Sequence, residues 1–303
     1  MDLGKEYGQE GATLLALGRY EEAIVYFDKA LEIDPNDAKA LYGKGFTIEN
    51  GFGRHEEAIM YFDKALEIDP LDADSWGSKG SALLQLGRHE ETIMCSDKVI
   101  QINPLDFRCY VTRGVALQRL GRWEEVIVNW DKALEFDPND ERIPKHYAID
   151  LAMVWRSKGT ALLTLGRSEE SIVCWDKVLE VDPNDSLVWH NKGAALLQLG
   201  RFEEAFICLD KTLEIDPNDT KALYNKGTAL LQLRRSEEAI MCFDKAIQIN
   251  PLDADSWHKK GMALWFEVCE VGDDKKGKEA SRCFKEAIQL DPNYKNRTPA
   301  EAL

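Results

Sequence analysis

Glu32-Ile33-Asp34-Pro35-Asn36-Asp37 is the stretch that decides the fold, because near copies of it return seven times. The prolines of these copies are Pro35, Pro70, Pro104, Pro138, Pro183, Pro217, Pro251 and Pro292; Pro144 and Pro299 fall outside the series. Most neighbouring copies stand 34 residues apart. A fixed period of this length means one supersecondary unit repeated, not one closed core. Such an array grows by addition, so 303 residues need not divide into two domains. It offers extended surface to other molecules and rarely carries a reaction centre.

With the proline placed at position 32, the units run 4–37, 38–72, 73–106, 107–140, 152–185, 186–219, 220–253 and 254–294. Position 8 is glycine in every unit: Gly11, Gly45, Gly80, Gly114, Gly159, Gly193, Gly227 and Gly261. Position 20 is small in most, as in Ala23, Ala58, Thr92 and Ser171, with Val126 the exception. Position 24 is usually large and apolar: Phe27, Phe62, Trp130, Trp175, Leu209, Phe243 and Phe284. Position 4 is Tyr7, Leu41, Trp76, Tyr110, Trp155, Trp189, Leu223 or Trp257.

Apolar residues three and four apart predict two amphipathic helices per unit. A Leu-Gly-Arg triplet ends the first, with glycine supplying a left-handed cap. The Glu-Glu that follows opens the second, where carboxylates meet the positive end of the helix dipole. Asp-Pro closes it, since proline cannot continue a helix. Small residues at positions 8 and 20 let the two helices approach, and a large side chain at position 4 or 24 fills the space beside them. The expected fold is all-α.

The formal charge is −16 and the pI about 4.9. That speaks against nucleic acid and against an anionic membrane surface as partners. No apolar run reaches membrane-spanning length, and Met1-Asp2-Leu3-Gly4-Lys5 opens no secretory leader, so a cytoplasmic protein is expected. Cys95, Cys174, Cys208, Cys242 and Cys283 share position 23. Equivalent helices pack no closer than roughly 8–10 Å, beyond the reach of about 7 Å that a disulfide spans. Reduced thiols are therefore expected. No phosphate-binding glycine loop, zinc-protease motif or nucleophile elbow occurs, and His190 and His258 lie two units apart. No enzyme, no cofactor and no metal site are expected.

The unit resembles the tetratricopeptide repeat, with its signature W-x₂-L-G-x₂-Y, A-x₃-F and P, over about residues 4–294. The wording of the units is similar to that of prokaryotic, archaeal-type members. The resemblance implies an α-solenoid, a right-handed superhelix of eight helix-turn-helix units, acting as a protein-protein interaction scaffold. One departure is systematic: position 7, commonly leucine in the family, is Lys44, Lys79, Arg113, Lys158, Lys192, Lys226 or Lys260. A snorkelling stem there can still cover apolar neighbours.

The resemblance also implies that first helices line a concave groove through positions 2, 5, 9, 12 and 13. Those positions hold Lys5, Lys39, Arg108, Arg119, Arg156 and Lys221 against Glu49, Asp74 and Asp255. A mildly basic groove in an acidic protein suits an acidic or carboxylate-bearing segment; scattered solvated charge is the other reading. Some family members clamp the C-terminal carboxylate of heat-shock chaperones over three consecutive units. Arg156, Thr160, Asn191, Lys221 and Asn225 come nearest, with Thr160 replacing an asparagine and Asn225 an arginine of that clamp. Tyr42, His190, Tyr224 and His258 share position 5, where they either stack on a ligand chain or pack across neighbouring helices.

Irregular segments stand out from the repeat. Residues 141–151 form an insertion expected to lengthen the first helix of unit five. Seven extra residues around 271–278, charged and glycine-containing, predict a mobile loop. Arg234 replaces a turn glycine, which predicts strain. Only 295–303 follow the last unit, too short for a capping helix, so its second helix is expected to expose an apolar stripe around Phe284. A homo-oligomer stacking through such ends is the alternative to the scaffold reading.

Overall fold

A computed structural model of the chain describes residues 3–136, 151–271 and 274–299. Among the described residues stand sixteen α-helices, one closing 3-10 turn and no strand. The helices are α1 (Leu3–Ala16), α2 (Tyr20–Ile33), α3 (Ala38–Phe52), α4 (His55–Ile68), α5 (Ala73–Gln85), α6 (His89–Ile102), α7 (Phe107–Arg119) and α8 (Trp123–Leu134). They continue with α9 (Leu151–Thr164), α10 (Ser168–Val181), α11 (Ser186–Gln198), α12 (Phe202–Ile215), α13 (Thr220–Gln232), α14 (Ser236–Ile249), α15 (Ala254–Val271) and α16 (Asp274–Leu290). The 3-10 turn spans Pro292–Arg297. No described helix is long and apolar enough to cross a membrane.

The chain forms two compact units, residues 1–154 and 155–303, and the division falls within α9. In the first, each helix packs on the helices before and after it, and α1, α3, α5 and α7 also touch in series. In the second, α10 to α16 pack in the same consecutive order, and α11, α13 and α15 touch in series. This is the stacking of an α-solenoid.

The Asp-Pro-x-Asp text builds the joint between repeats. In Asp34-Pro35-Asn36-Asp37 the Asp34 carboxylate accepts from the Asn36 N–H at 2.9 Å. Asp37 then caps α3, accepting from Lys39 and Ala40 at 3.0 and 3.1 Å. Asp72, Asp106, Asp185 and Asp219 cap α5, α7, α11 and α13 in the same way. A cap of this kind contributes about 1 kcal/mol. Position 4 locks the joint from the other side: the indole N–H groups of Trp76, Trp189 and Trp257 donate to the carbonyls of Pro70, Pro183 and Pro251 at 2.8–3.0 Å.

Within a repeat the turn is a Schellman closure. At Gly200, φ is +72°, and the Arg201 N–H donates back to the Leu196 carbonyl at 2.9 Å. Each turn arginine then grips the second glutamate of the next helix, as Arg88 does Glu91 at 2.5 and 2.6 Å. Unit seven makes the same turn without glycine. Arg234, with φ +56°, is the one non-glycine residue in this conformation among the described residues. A side chain there costs roughly 1–2 kcal/mol, partly offset by the entropy glycine loses. Arg234→Gly should therefore stabilise the second unit by about 0.5–1 kcal/mol. A denaturation midpoint that stays put or falls contradicts this.

Two expectations need correction. Residues 274–278 are not a mobile loop: α15 runs to Val271 and α16 starts at Asp274, so the described extra residues lengthen the two helices, while 272 and 273 lie outside the described residues. Good helix formers outweigh Gly277 in α16, and Lys276 reaches across to Glu267. Nor does α16 expose an apolar stripe around Phe284. That ring is fully buried against Gly261, while Lys275, Lys278, Arg282 and Lys285 face solvent. Below it the 3-10 turn folds back, with Tyr294 stacked 4.6 Å from His258 and bonded to Asp255. The insertion at 141–150 lies outside the described residues.

Candidate functional site

The lysines at position 7 explain themselves first, because they border the first-helix face. Six of the seven reach the aspartate at position 25 of the preceding repeat. In the first unit Lys44 meets Asp28 at 2.5 Å, Lys79 meets Asp63 at 2.5 Å and Arg113 meets Asp97 at 2.8 Å. In the second, Lys192 meets Asp176 at 2.5 Å, Lys226 meets Asp210, and Lys260 meets Asp244 at 2.8 Å. Burial works against the charge of Lys44, but hydrogen bonds to Asp28 and Tyr61 outweigh it and its pKa is raised. Position 7 therefore staples repeat to repeat and is not available to a partner.

Position 5 is also largely spent on packing. Tyr42 lies half-buried between Phe46 and Phe62, with ring centroids at 5.7 and 6.0 Å. Burial raises its pKa, and Ser78 of the next repeat hydrogen-bonds it. Tyr224 packs edge-on against Phe243 at 6.1 Å, and burial pushes it up to about 12. His190 meets the cap Asp219 at 3.1 Å. His258 is wedged between Phe284 and Tyr294, and burial lowers its pKa. Tyr42, Tyr224 and His258 thus pack against neighbouring rings, the second of the two readings of position 5.

The arginines divide. Arg108 is held by Asp106 at 2.7 Å and by Asp74 at 3.2 Å. In the second unit Arg156 is held by the cap Asp185 at 2.5 Å, and the Thr160 hydroxyl turns back to the Arg156 carbonyl at 3.0 Å. Two of the cations expected to meet a carboxylate are thus engaged with cap aspartates. Lys39 and Arg119 in the first unit and Lys221 in the second stand exposed at positions 2 and 13. Asn191 and Asn225 are half-buried on successive first helices of the second unit.

A cavity of about 170 Å³ opens on this face in the first unit. Phe46, Glu49 and Asn50 of α3, Gly77, Ser78 and Ser81 of α5, and Arg108 and Thr112 of α7 border it. Ser96 and Val99 of α6 form its buried floor. Glu49 is largely enclosed, with its side chain 13% exposed and His55 Nδ1 3.8 Å away. Burial pushes its pKa up to about 7. The sequence reading passed over this cavity, though a signal was there: position 24 carries a large apolar residue in seven units but Ser96 in the third.

A second feature lies on the other side. Position 22 of the second helices is apolar and more than half exposed in Val25, Met60, Met94 and Val128, and again in Val173, Ile207 and Met241. Six of the seven cysteines are buried or half-buried and all are free; burial pushes Cys95, Cys208 and Cys283 up to about 11, which makes them poor nucleophiles.

The tetratricopeptide repeat family models match residues 4–37, 38–70, 61–94, 154–185, 186–219 and 220–252, together more than half of the chain. No curated protein matches it. Among solved structures it is similar to YrrB, described as a TPR protein with an unusual peptide-binding site. That match has a TM-score of 0.57 and 22% identity over 66% of this chain and 97% of YrrB. It is also similar to MamA from Desulfovibrio magneticus, with a TM-score of 0.53 and 22% identity over 62% of this chain and 96% of the other. A tetratricopeptide repeat protein from Parabacteroides merdae covers more, at 87% of this chain and 100% of its own, with a TM-score of 0.54 and 15% identity. At these identities the likeness concerns the fold.

Proposed function

The chain belongs to the tetratricopeptide repeat family, whose members bind protein or peptide partners, and on that premise we propose that it is an adaptor. Its first-helix face takes an extended segment of another protein. One observation carries this. Position 7 and much of position 5 are engaged in ion pairs and packing, while position 13 and most of position 2 stand out from the same helices into solvent. That leaves Lys39 and Arg119 in the first compact unit, and Lys221 in the second, as exposed cations, and each suits a segment bearing carboxylates. A preformed face of rigid helices lowers the entropic cost of binding. No reaction is assigned to it.

Capture from a library of acidic peptides, each with a free and an amidated C-terminus, tests the reading. Lys39→Glu/Arg119→Glu/Lys221→Glu should weaken capture at least ten-fold with helicity and melting unchanged. Arg108 and Arg156 are left intact, because reversing them would set carboxylates against Asp106 and Asp185. Equal capture by the triple variant defeats the charge assignment. No capture, with a sedimentation mass that grows with concentration, moves the weight to self-association, although Phe284 is too buried to mediate it.

A further inference from the structure

We propose that the cavity of the third repeat is a socket for one cationic side chain, lysine or arginine, of the segment bound on this face. The inference rests on the adaptor reading and adds a chemistry to one point of it. The socket exists because two side chains are missing. In repeats two, seven and eight, rings at positions 5 and 24 face each other: Tyr42 and Phe62 at 6.0 Å, Tyr224 and Phe243 at 6.1 Å, His258 and Phe284 at 5.6 Å. The third repeat has Gly77 and Ser96 at those two positions. A Cβ added at Gly77 would find only Val99, 3.9 Å away. Gly80 tells the same story. Its counterparts lie under a position-24 side chain within 2.4–2.9 Å of where a Cβ would be, whereas Gly80 meets the Cβ of Cys95 at 3.2 Å. No neighbour has moved in to replace the lost pair.

About 170 Å³ is room for one side chain, since an apolar cavity of about 150 Å³ holds a benzene. The lining selects its charge. Ser78, Ser81, Ser96 and Thr112 offer hydroxyl oxygens, and Glu49 and Asp106 offer carboxylates. Arg108 is the cation of the lining, and it is engaged by Asp106 and by Asp74 beyond the rim. Glu49 on α3 has His55 of α4 behind it at 3.8 Å and the buried Cys109 of α7 among the residues around the cavity. The carboxyl of Glu49 is the acidic group least compensated by a cation, in keeping with its raised pKa. A guest ammonium or guanidinium would supply the missing charge and donate to the hydroxyl ring. Asn50 and Ser81 are exposed at the mouth, so entry needs no opening of the fold.

Titration of the full chain with Nα-acetyl-lysine amide and Nα-acetyl-arginine amide, followed through the backbone amide resonances of Gly77, Ser78 and Thr112, tests the socket. The norleucine and glutamate amides are the neutral and acidic controls. The expected result is saturable shifts with both cations and affinity at least ten-fold lower for either control. Glu49→Gln should weaken the cations at least ten-fold, and Ser96→Phe, which restores the missing ring, should abolish the shifts. Should Ser96→Phe fail to fold, Glu49→Gln alone carries the test. Norleucine binding as well as lysine, a preference for glutamate, or no saturable shift with either cation overturns the socket. Peptide capture that still depends on Lys39, Arg119 and Lys221 would then leave the adaptor reading standing.

Discussion

Gly114→Ala is expected to destabilise the first unit by about 3–5 kcal/mol, while Gly77→Ala, one repeat earlier, stabilises it by about 0.5–1 kcal/mol. Both glycines sit inside first helices, where alanine is the better helix former by up to about 1 kcal/mol. Their surroundings decide the sign. A Cβ on Gly114 would stand 2.4 Å from Trp130 Cζ2 and 2.8 Å from Asn129 Nδ2. Neither can yield. Trp130 is fully buried, and Asn129 donates to the Tyr110 carbonyl at 2.9 Å and accepts from Arg113 at 3.3 Å. Overpacking costs about 1–3 kcal/mol, and breaking the buried Asn129 bond adds about 1–3. Gly77 borders the cavity and has its nearest neighbour at ordinary contact distance. Chemical denaturation of the two variants checks the contrast; similar midpoints would contradict this account of the two glycines' surroundings.

Glu49→Gln is expected to stabilise the first unit by about 2–3 kcal/mol at pH 8 and hardly at all at pH 4. Glu49 titrates near 7 in the folded protein and near 4.5 in an unfolded chain, because burial disfavours its charge. Between those values the native state holds more protons than the unfolded state, so stability falls as pH rises through the window. Below about 4.5 both states are protonated and the penalty is absent; above about 7 it is fully present. Glutamine keeps the shape and never ionises. Denaturation curves of both proteins across this range should diverge with rising pH. A difference independent of pH, or one that grows towards acid, contradicts the burial of an uncompensated carboxylate. The same variant should lose affinity for a cationic guest, so stability and binding move in opposite directions.

Much of the fold was legible in the sequence. The Asp-Pro-x-Asp text marks the joint because it encodes two carboxylate caps and a helix stop within four residues. Leu-Gly-Arg marks the turn because one residue there has positive φ, and Arg234 was legible for the same reason. The position-7 lysines were noticed as stems that cover apolar neighbours, and they do lie over aromatic rings, but their ion pairs were not foreseen. Their partners at position 25 lie 16 residues earlier in the preceding repeat, a pairing that helical periodicity within one unit does not reveal.

The candidate site was legible only in outline. Lys39, Arg119 and Lys221 are exposed as their positions imply, but Arg108 and Arg156 are engaged by cap aspartates beside them, a competition that counting charges along a face overlooks. The lengthened α15 and α16 were missed because glycine and charge were weighed more heavily than the helix formers between them. The cavity was missed because it consists of absences. Ser96 and Gly77 read as tolerated exceptions until their shared vacancy is seen in three dimensions.

Mapping the amide resonances of the full chain with a captured peptide bound tests the central claim most directly. The account predicts that perturbation concentrates on Lys39, Gly77, Ser78, Ser81, Thr112 and Arg119 of the first-helix face. Perturbation centred on Met60, Met94 and Val128, the exposed apolar row of the second helices, would contradict it.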